Sequence, residues 1–233
     1  MIVWKEVLPG VRPGKALDVG TRFGEFAVRL AEAMPVGSEV IGIDNDASAA
    51  EKAREKFAEK GLLFEQMDAA AMDYPDDTFE VVALSNTLHH IEDYGKVLAE
   101  MLRVLKPGGF FVLNEMYRDG QDAAQQVHEA QHTLEAKLDC LLGSYQRRTW
   151  KREEIIEIFR TLPLKDMTFT DFQEDAAYDA KLEAKNRKLA AEVEKIAGRP
   201  EYEALKREAL EIQDRCQKDG IRRCTQLLCV GRK

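Results

Sequence analysis

Apolar positions along the first 115 residues follow two alternating rhythms. Short, nearly unbroken runs at 15–20 (KALDVG), 39–43 (EVIGI), 62–66, 79–84 (FEVVAL) and 110–115 predict buried strands. Between them the spacing becomes helical. Residues 23–34 place Phe23, Phe26, Ala27, Leu30, Ala31 and Met34 on one face. Residues 47–60 read as a charged amphipathic helix closed by Gly61, and 93–105 as a helix stopped by Lys106-Pro107-Gly108-Gly109. Strands alternating with helices predict a parallel sheet with right-handed crossovers.

The rhythm then changes. Residues 122–142 and 151–160 read as helices, 164–172 as a strand and 222–231 (RRCTQLLCVG) as a final strand. The segment 174–219 is strongly charged and helical. Tyr202, Leu205, Ala209, Ile212 and Cys216 form an apolar stripe there. Tyr178, Leu182, Leu189, Val193 and Ile196 form a second one, interrupted by Lys185. Gly198-Arg199-Pro200 separates the halves and suggests a helical hairpin. The expected fold is therefore α/β: a Rossmann-like, doubly wound, mostly parallel sheet of seven strands, the last antiparallel, with helical insertions. Residues 1–120 would form the core, completed by strands within 164–172 and 222–233. Residues 121–162 would form a helical cap and 174–219 an inserted hairpin. The 202–216 stripe needs an apolar partner, which would be the hairpin itself, the sheet domain or a second subunit; a homodimer contact through 174–219 is slightly favoured.

Composition narrows the partners. The chain of 233 residues has a net charge of −8, which repels phosphate backbones, so no nucleic-acid partner is expected. No apolar run approaches the ~18 residues of a membrane span, so no membrane partner is expected either. The stretch Met1-Ile2-Val3-Trp4-Lys5-Glu6 does not read as a signal peptide. Cys140, Cys216, Cys224 and Cys229 form no CxxC pair, and reduced thiols in a cytoplasmic protein are the plain reading.

Four features carry chemistry. Asp18-Val19-Gly20-Thr21-Arg22-Phe23-Gly24 joins a strand to a helix, and its glycines let backbone approach a ligand. It lacks the G-x-G-x-x-G spacing that seats a dinucleotide pyrophosphate, and alone it reads equally well as a structural turn. Asp44 ends the next strand, where a carboxylate can accept both ribose hydroxyls; the alternative there is a helix N-cap, for which Asn45 or Asp46 serves as well. Met67-Asp68-Ala69 offers an acceptor beside a backbone N–H, suited to an adenine edge, or is an ordinary loop. Ser85-Asn86-Thr87-Leu88-His89-His90 leaves the fourth strand at the edge where open α/β sheets bind ligands.

Taken together, ALDVGTRFGEFAVRLA, IGIDND, MDAAAMDYPDDTFEVVALSNTLHHIED and LRVLKPGGFFVLNE resemble, in order, the glycine-rich motif, acidic ribose motif, adenine segment with fourth strand, and fifth strand of class I S-adenosylmethionine (SAM)-dependent methyltransferases. The likeness spans roughly residues 14–116 and is nearest the small-molecule branch that includes the ubiquinone/menaquinone-biosynthesis type. It implies SAM as cofactor, S-adenosylhomocysteine as product and a small-molecule methyl acceptor. It also implies that Asp18, Gly20 and Gly24 shape the methionine pocket, with Thr21 and Phe23 of the same loop among the cofactor-binding residues. Asp44 would hold the ribose, Asn45 would lie beside the adenine, Asp68 and Ala69 would read the adenine edge, and Ser85 would sit near the amino-acid end. Arg22 stands where the family pattern has glycine. Its side chain would either pair with the SAM carboxylate or obstruct the pocket.

The acceptor side is less defined. His90, His128 and His132 are the candidate catalytic residues, with His89 beside them, and the His89–His90 pair is read as packing or positioning before it is read as a base. His128 and His132 share a helix face, a spacing that can bind metal, but with no clear third ligand no metal is expected. The 122–142 helix is expected to cover the site, with His128, His132, Tyr145 and Arg147 toward the acceptor and Glu115 and Tyr117 as further candidates. Two alternatives stay open. One is a SAM-binding protein without methyl-transfer turnover; the other is a nucleotide-linked oxidoreductase, disfavoured by the missing G-x-G-x-x-G.

Overall fold

The computed structural model describes residues 4–174 and 177–233, with the side chains of Lys5, Ala177 and Tyr178 excepted. The start of the Met1–Glu6 stretch and the Tyr178 stripe position lie outside the described residues. Seven strands form one sheet in the order β3-β2-β1-β4-β5-β7-β6. They are β1 (Lys15–Val19), β2 (Glu39–Asp44), β3 (Leu63–Gln66), β4 (Phe79–Ser85), β5 (Leu105–Met116), β6 (Lys165–Phe172) and β7 (Gln226–Arg232). β1 to β5 pair in parallel, and β7 runs antiparallel to both β5 and β6. The order reverses at β1, and β1 and β4 are hydrogen-bonded neighbours, so the loops after them meet at one edge.

Successive side chains of a strand point to opposite faces, and the core divides accordingly. Leu17, Val19, Ile41, Ile43, Val82 and Leu84 face α4 (Tyr94–Val104) and α6 (Arg152–Arg160). Ala16, Val40, Val81, Ala83 and Val112 face the other way, toward α2 (Glu25–Ala33) and α3 (Ala47–Lys56). A short helix α1 (Trp4–Val7), which the apolar pattern does not announce, packs Trp4 edge-on against Phe26 and Phe172.

Local chemistry sets the boundaries. Asp93 accepts from the Lys96 N–H and caps α4. Asp122 and Gln125 form a reciprocal capping box on α5 (Ala123–Leu141). The Lys106-Pro107-Gly108-Gly109 run does not delay β5 as expected. Leu105 already pairs with Phe79, and the run bulges out before pairing resumes at Phe110 and Val81.

The segment 174–219 contains α7 (Ala177–Asn186), α8 (Leu189–Val193) and α9 (Tyr202–Asp219). It is no free-standing hairpin. Leu205, Ala209 and Ile212 of α9 join Val127, Leu134 and Leu138 of α5 and Leu189 and Val193 of α8 in a third apolar cluster. α5, α7, α8 and α9 thus form one cover. Of the partners open to the 202–216 stripe, Leu205, Ala209 and Ile212 find theirs within the chain, on α5 and α8.

Candidate functional site

The carboxyl ends of β1, β2, β3 and β4 open into a cleft of about 1130 Å³, roofed by α5 and α7. On the sheet side the wall is held by backbone. After β1 the chain turns with Gly20 at φ 68°, Arg22 at φ 48° and Gly24 at φ 81°. A Cβ at Gly20 would lie 2.3 Å from the Thr87 methyl, so only glycine fits where this turn meets the loop after β4. Arg22 is not glycine and carries left-handed strain of about 1–2 kcal/mol. Its backbone N–H donates to Asp44 Oδ2 at 2.8 Å, and its guanidinium lies over the Phe23 ring at 5.1 Å.

Asp44 therefore does two jobs at the tip of β2. Besides Arg22 it accepts the Asp46 N–H on Oδ1 at 3.0 Å. Two backbone bonds leave lone pairs on both oxygens for a ligand. Asp68 Oδ1 accepts from the Ala70 N–H at 2.9 Å and shapes the loop after β3. Ser85 Oγ accepts from Asn114 Nδ2 at 2.9 Å. Asn86, itself left-handed at φ 47°, accepts the Met116 N–H and locks the ends of β4 and β5 together.

Gly20, Thr21, Arg22, Phe23, Asp44, Asn45, Asp68, Ala69 and Ser85 all line the cleft. Asp18 and Gly24 do not, and act from behind it. Asp18 is 1% exposed, with Oδ2 accepting from the Thr21 hydroxyl at 2.7 Å and Oδ1 unpartnered. Burial lifts its carboxyl to about 7, opposed by the Thr21 bond and reinforced by Asp44. Gly24 lets Phe64 and Phe57 close against the turn, at distances no Cβ would tolerate.

The opposite wall is built from side chains. A short turn, Leu88–His90, follows β4. Glu115 is fully buried beneath it, accepting the Leu88 N–H at 3.0 Å and holding His89 Nδ1 at 2.8 Å. α5 lays His132 against His89, with ring centroids 4.7 Å apart, and His90 stacks on His89 at 4.3 Å. Gln146 Nε2 donates to His132 Nε2 at 3.3 Å. Burial drives the imidazole of His128 down to about 3 and that of His132 well below its usual range; His90, whose residue keeps an exposed edge, is lowered to about 3 by partial desolvation together with His89 and Arg22 beside it. All three are neutral near pH 7.

The acceptor-side expectations divide. His90, His128, His132 and Tyr145 line the cleft. His128, however, accepts the buried Cys224 N–H at 3.0 Å, so its polar contact ties α5 to the segment before β7. Arg147 faces away: its guanidinium stacks on Trp150 at 3.4 Å, and its N–H donates to the His89 carbonyl. Tyr117 points toward Thr225 and Asp171 under the sheet edge. Glu115 reaches the cleft only through His89. Lys181, Lys185 and Glu174 line the cleft without having been anticipated. Lys185 had a signal in the sequence, as the break in the first apolar stripe, because that helix face turns toward the cleft. It pairs with Glu135 of α5 at 2.6 Å. Glu174 reaches back to α2 in a bidentate pair with Arg29, whose nitrogens donate at 2.5 Å.

Among known proteins, residues 17–113 match the family model described as a methyltransferase domain. The chain is 33% identical over 125 residues to the ubiquinone/menaquinone biosynthesis C-methyltransferase UbiE of Marinomonas sp., covering 52% of this chain and 50% of that protein. It is 30% identical over 158 residues to the demethylmenaquinone methyltransferase of Anoxybacillus flavithermus, covering 66% of this chain and 67% of that one. The chain spans about half the length of most of the curated relatives it matches. A Haemonchus contortus phosphoethanolamine N-methyltransferase 2, solved with S-adenosyl-L-methionine, superposes with a TM-score of 0.60 at 17% identity, over 99% of this chain and 51% of that one. At that identity the likeness concerns the fold alone. Among the described residues no helix is long and apolar enough to cross a membrane.

Proposed function

The chain belongs to the class I SAM-dependent methyltransferases, and from that premise we propose that it transfers a methyl group from SAM to a small-molecule acceptor held under the helical cover. The observation that carries this reading is the convergence on one cleft of the Gly20–Arg22 turn, the Asp44 carboxylate and the Asp68–Ala69 loop, opposite a wall of neutral imidazoles. Asp44, with lone pairs left after its two backbone bonds, would accept the ribose hydroxyls. Asp68 would read the adenine edge with the oxygen that does not hold Ala70, beside Ala69 and Asn45. Gly20 and Ser85 would border the amino-acid end, and Arg22 would meet its carboxylate. SAM supplies an electrophilic methyl, so the protein's main task is to align the acceptor and exclude water.

The acceptor is read by residues beyond the matched segment. His132 and Tyr145 on one side and Lys181 and Lys185 on another border the cleft and lie outside residues 17–113. The relatives' quinone acceptors are therefore one choice to test. The net charge of −8 disfavours a nucleic-acid partner, and the proposal takes the enzyme to be cytoplasmic.

Calorimetry with SAM, S-adenosylhomocysteine and NAD tests the cofactor. Saturable one-to-one binding of the first two and none of NAD is expected. Incubation with SAM and a demethylated quinol, or with a small-molecule extract, should release S-adenosylhomocysteine. Binding without release under every acceptor tried would favour the reading without turnover, and binding of NAD alone would overturn the assignment.

A further inference from the structure

We propose that His89, His90 and His132 form a binding site for a divalent transition-metal ion at the acceptor end of the cleft. One ring nitrogen from each lies within 4.8 Å of the others. The set cannot be read from the helical i, i+4 pair. His128 is committed to the Cys224 N–H, and the third and second imidazoles come instead from the turn after β4, brought under α5 by the fold.

Two independent features point to a ligand. The His89 side chain is 2% exposed, and its Nδ1 faces the Glu115 carboxylate, which leaves Nε2 as the nitrogen available to an ion. That Nε2 is buried and has no hydrogen-bond partner. His132 shows the same condition: Nε2 accepts from Gln146, and the buried Nδ1 has no partner. Two buried, unsatisfied imidazole nitrogens in one cluster forgo their solvation without return. An ion between them satisfies both: the His132 proton moves from Nδ1 to Nε2, and the Gln146 side-chain amide turns so that its Oε1 accepts it, which keeps the imidazole neutral. Glu115 behind His89 reproduces the carboxylate–histidine–metal arrangement that fixes a ligand's tautomer and raises its basicity.

The chemistry of the donors sets the class of ion. Three imidazole nitrogens suit Zn(II), Fe(II), Co(II) or Ni(II), and not Mg(II) or Ca(II), which take oxygen ligands. A tetrahedral ion with bonds of about 2.0–2.1 Å needs nitrogens roughly 3.4 Å apart, so the rings must draw inward. His90, exposed at the end of its turn, has the freedom to do so. Three protein ligands leave a position open toward the cleft, where an acceptor hydroxyl or enol oxygen would bind and lose its proton to solvent more readily. That role rests on the methyl-transfer reading; ion binding itself does not.

The full chain, stripped with chelator and exchanged into metal-free buffer, is titrated by calorimetry with ZnCl2 alone and followed spectroscopically with CoCl2 alone. One saturable site per chain is expected, with a cobalt spectrum of low coordination number. H90A, at an exposed position, and H132N should each weaken binding at least tenfold with unchanged circular dichroism. Glu115→Gln should weaken it less, and Cys140→Ser, at an exposed thiol, not at all. Absence of a one-to-one phase, or binding that survives H90A and H132N, overturns the site. S-adenosylhomocysteine titrated into the same samples separates the two readings. Cofactor binding without metal binding sinks the metal site alone, and histidine-dependent metal binding without cofactor binding sinks the cofactor assignment alone.

Discussion

The two walls of the cleft are held by different kinds of bond. On the sheet side, polar groups are fixed by backbone within a few residues of a strand end: Asp44 takes the Arg22 and Asp46 N–H groups, Asp68 takes Ala70, and Gly20 supplies a turn no other residue fits. On the helical side they are fixed by side chains distant in sequence: Glu115 to His89, Gln146 to His132, Lys185 to Glu135, Glu174 to Arg29. A backbone-held site survives changes in its surroundings. A side-chain-held site depends on the packing of everything around it, and can diverge with the acceptor while the cofactor end stays fixed.

The largest expected effect tests whether the sheet wall is optimised for stability at all. Burial raises the folded Asp18 carboxyl to about 7, against an ordinary value of 3.8. The folded state therefore holds a proton that the unfolded state has released across that window. Stability contributed by this group is full below about pH 4, falls as pH rises toward 7, and stays low above it. Asp18→Asn removes the buried charge, so chemical denaturation at pH 8 should show a gain of up to about 4 kcal/mol that vanishes near pH 4. A gain independent of pH would mean that the carboxyl is not strained by burial.

The next effect asks whether the walls fold as one unit. Ile212 is 3% exposed in the α5–α8–α9 cluster. Ile212→Ala should cost about 3 kcal/mol by leaving a cavity. Limited proteolysis should then cut first within 177–219, while S-adenosylhomocysteine affinity falls less than threefold. Equal loss of cover and cofactor binding would dissolve the distinction between the walls.

The smaller effect of Asp44→Ala acts on the sheet side alone. Loss of hydrogen bonds to a charged group should weaken S-adenosylhomocysteine binding by about 2 kcal/mol, some thirtyfold, in calorimetry. Part of that comes through the loop, because Asp44 also positions Arg22. Asp44→Asn, which keeps an acceptor oxygen, should recover some of the loss. Unchanged binding in Asp44→Ala would move the ribose elsewhere.

This division explains what the chain disclosed before its structure. The alternation of strands and helices, the antiparallel final strand and the loop residues that line the sheet side of the cleft were legible because a strand, its turn and its helix are contiguous. DVGTRFG and IGIDND are read directly, and the loops carrying Asp44 and Ser85 meet because β2, β1 and β4 are neighbours. The histidine cluster was half visible. His128 and His132 announced a helix face, but His89 joins His132 only through tertiary packing, and no spacing encodes that. Arg147 and Tyr117 were misplaced for the same reason. Both lie beside the right segment, and packing turns one onto Trp150 and the other toward Asp171. The α9 stripe was read correctly as apolar, but its partner in α5 lies some seventy residues away.

Arg22 is where the two walls meet, and substituting it should give the smallest change. Its backbone belongs to the sheet wall, left-handed at φ 48° and bonded to Asp44. Its guanidinium leans over Phe23 and is near enough to His90 to help depress that imidazole. Arg22→Gly removes left-handed strain of about 1–2 kcal/mol and returns some of it as unfolded-chain entropy. The net gain in unfolding free energy should be about 0.5–1 kcal/mol. If the guanidinium meets the SAM carboxylate, the same variant binds S-adenosylhomocysteine several-fold more weakly, by roughly 1 kcal/mol at this exposed position, and more so at low salt because the attraction is screened. Tighter binding would mean that the side chain obstructs the pocket. Stability and affinity thus move in opposite directions when Arg22 acts as an anchor, and together when it is only in the way.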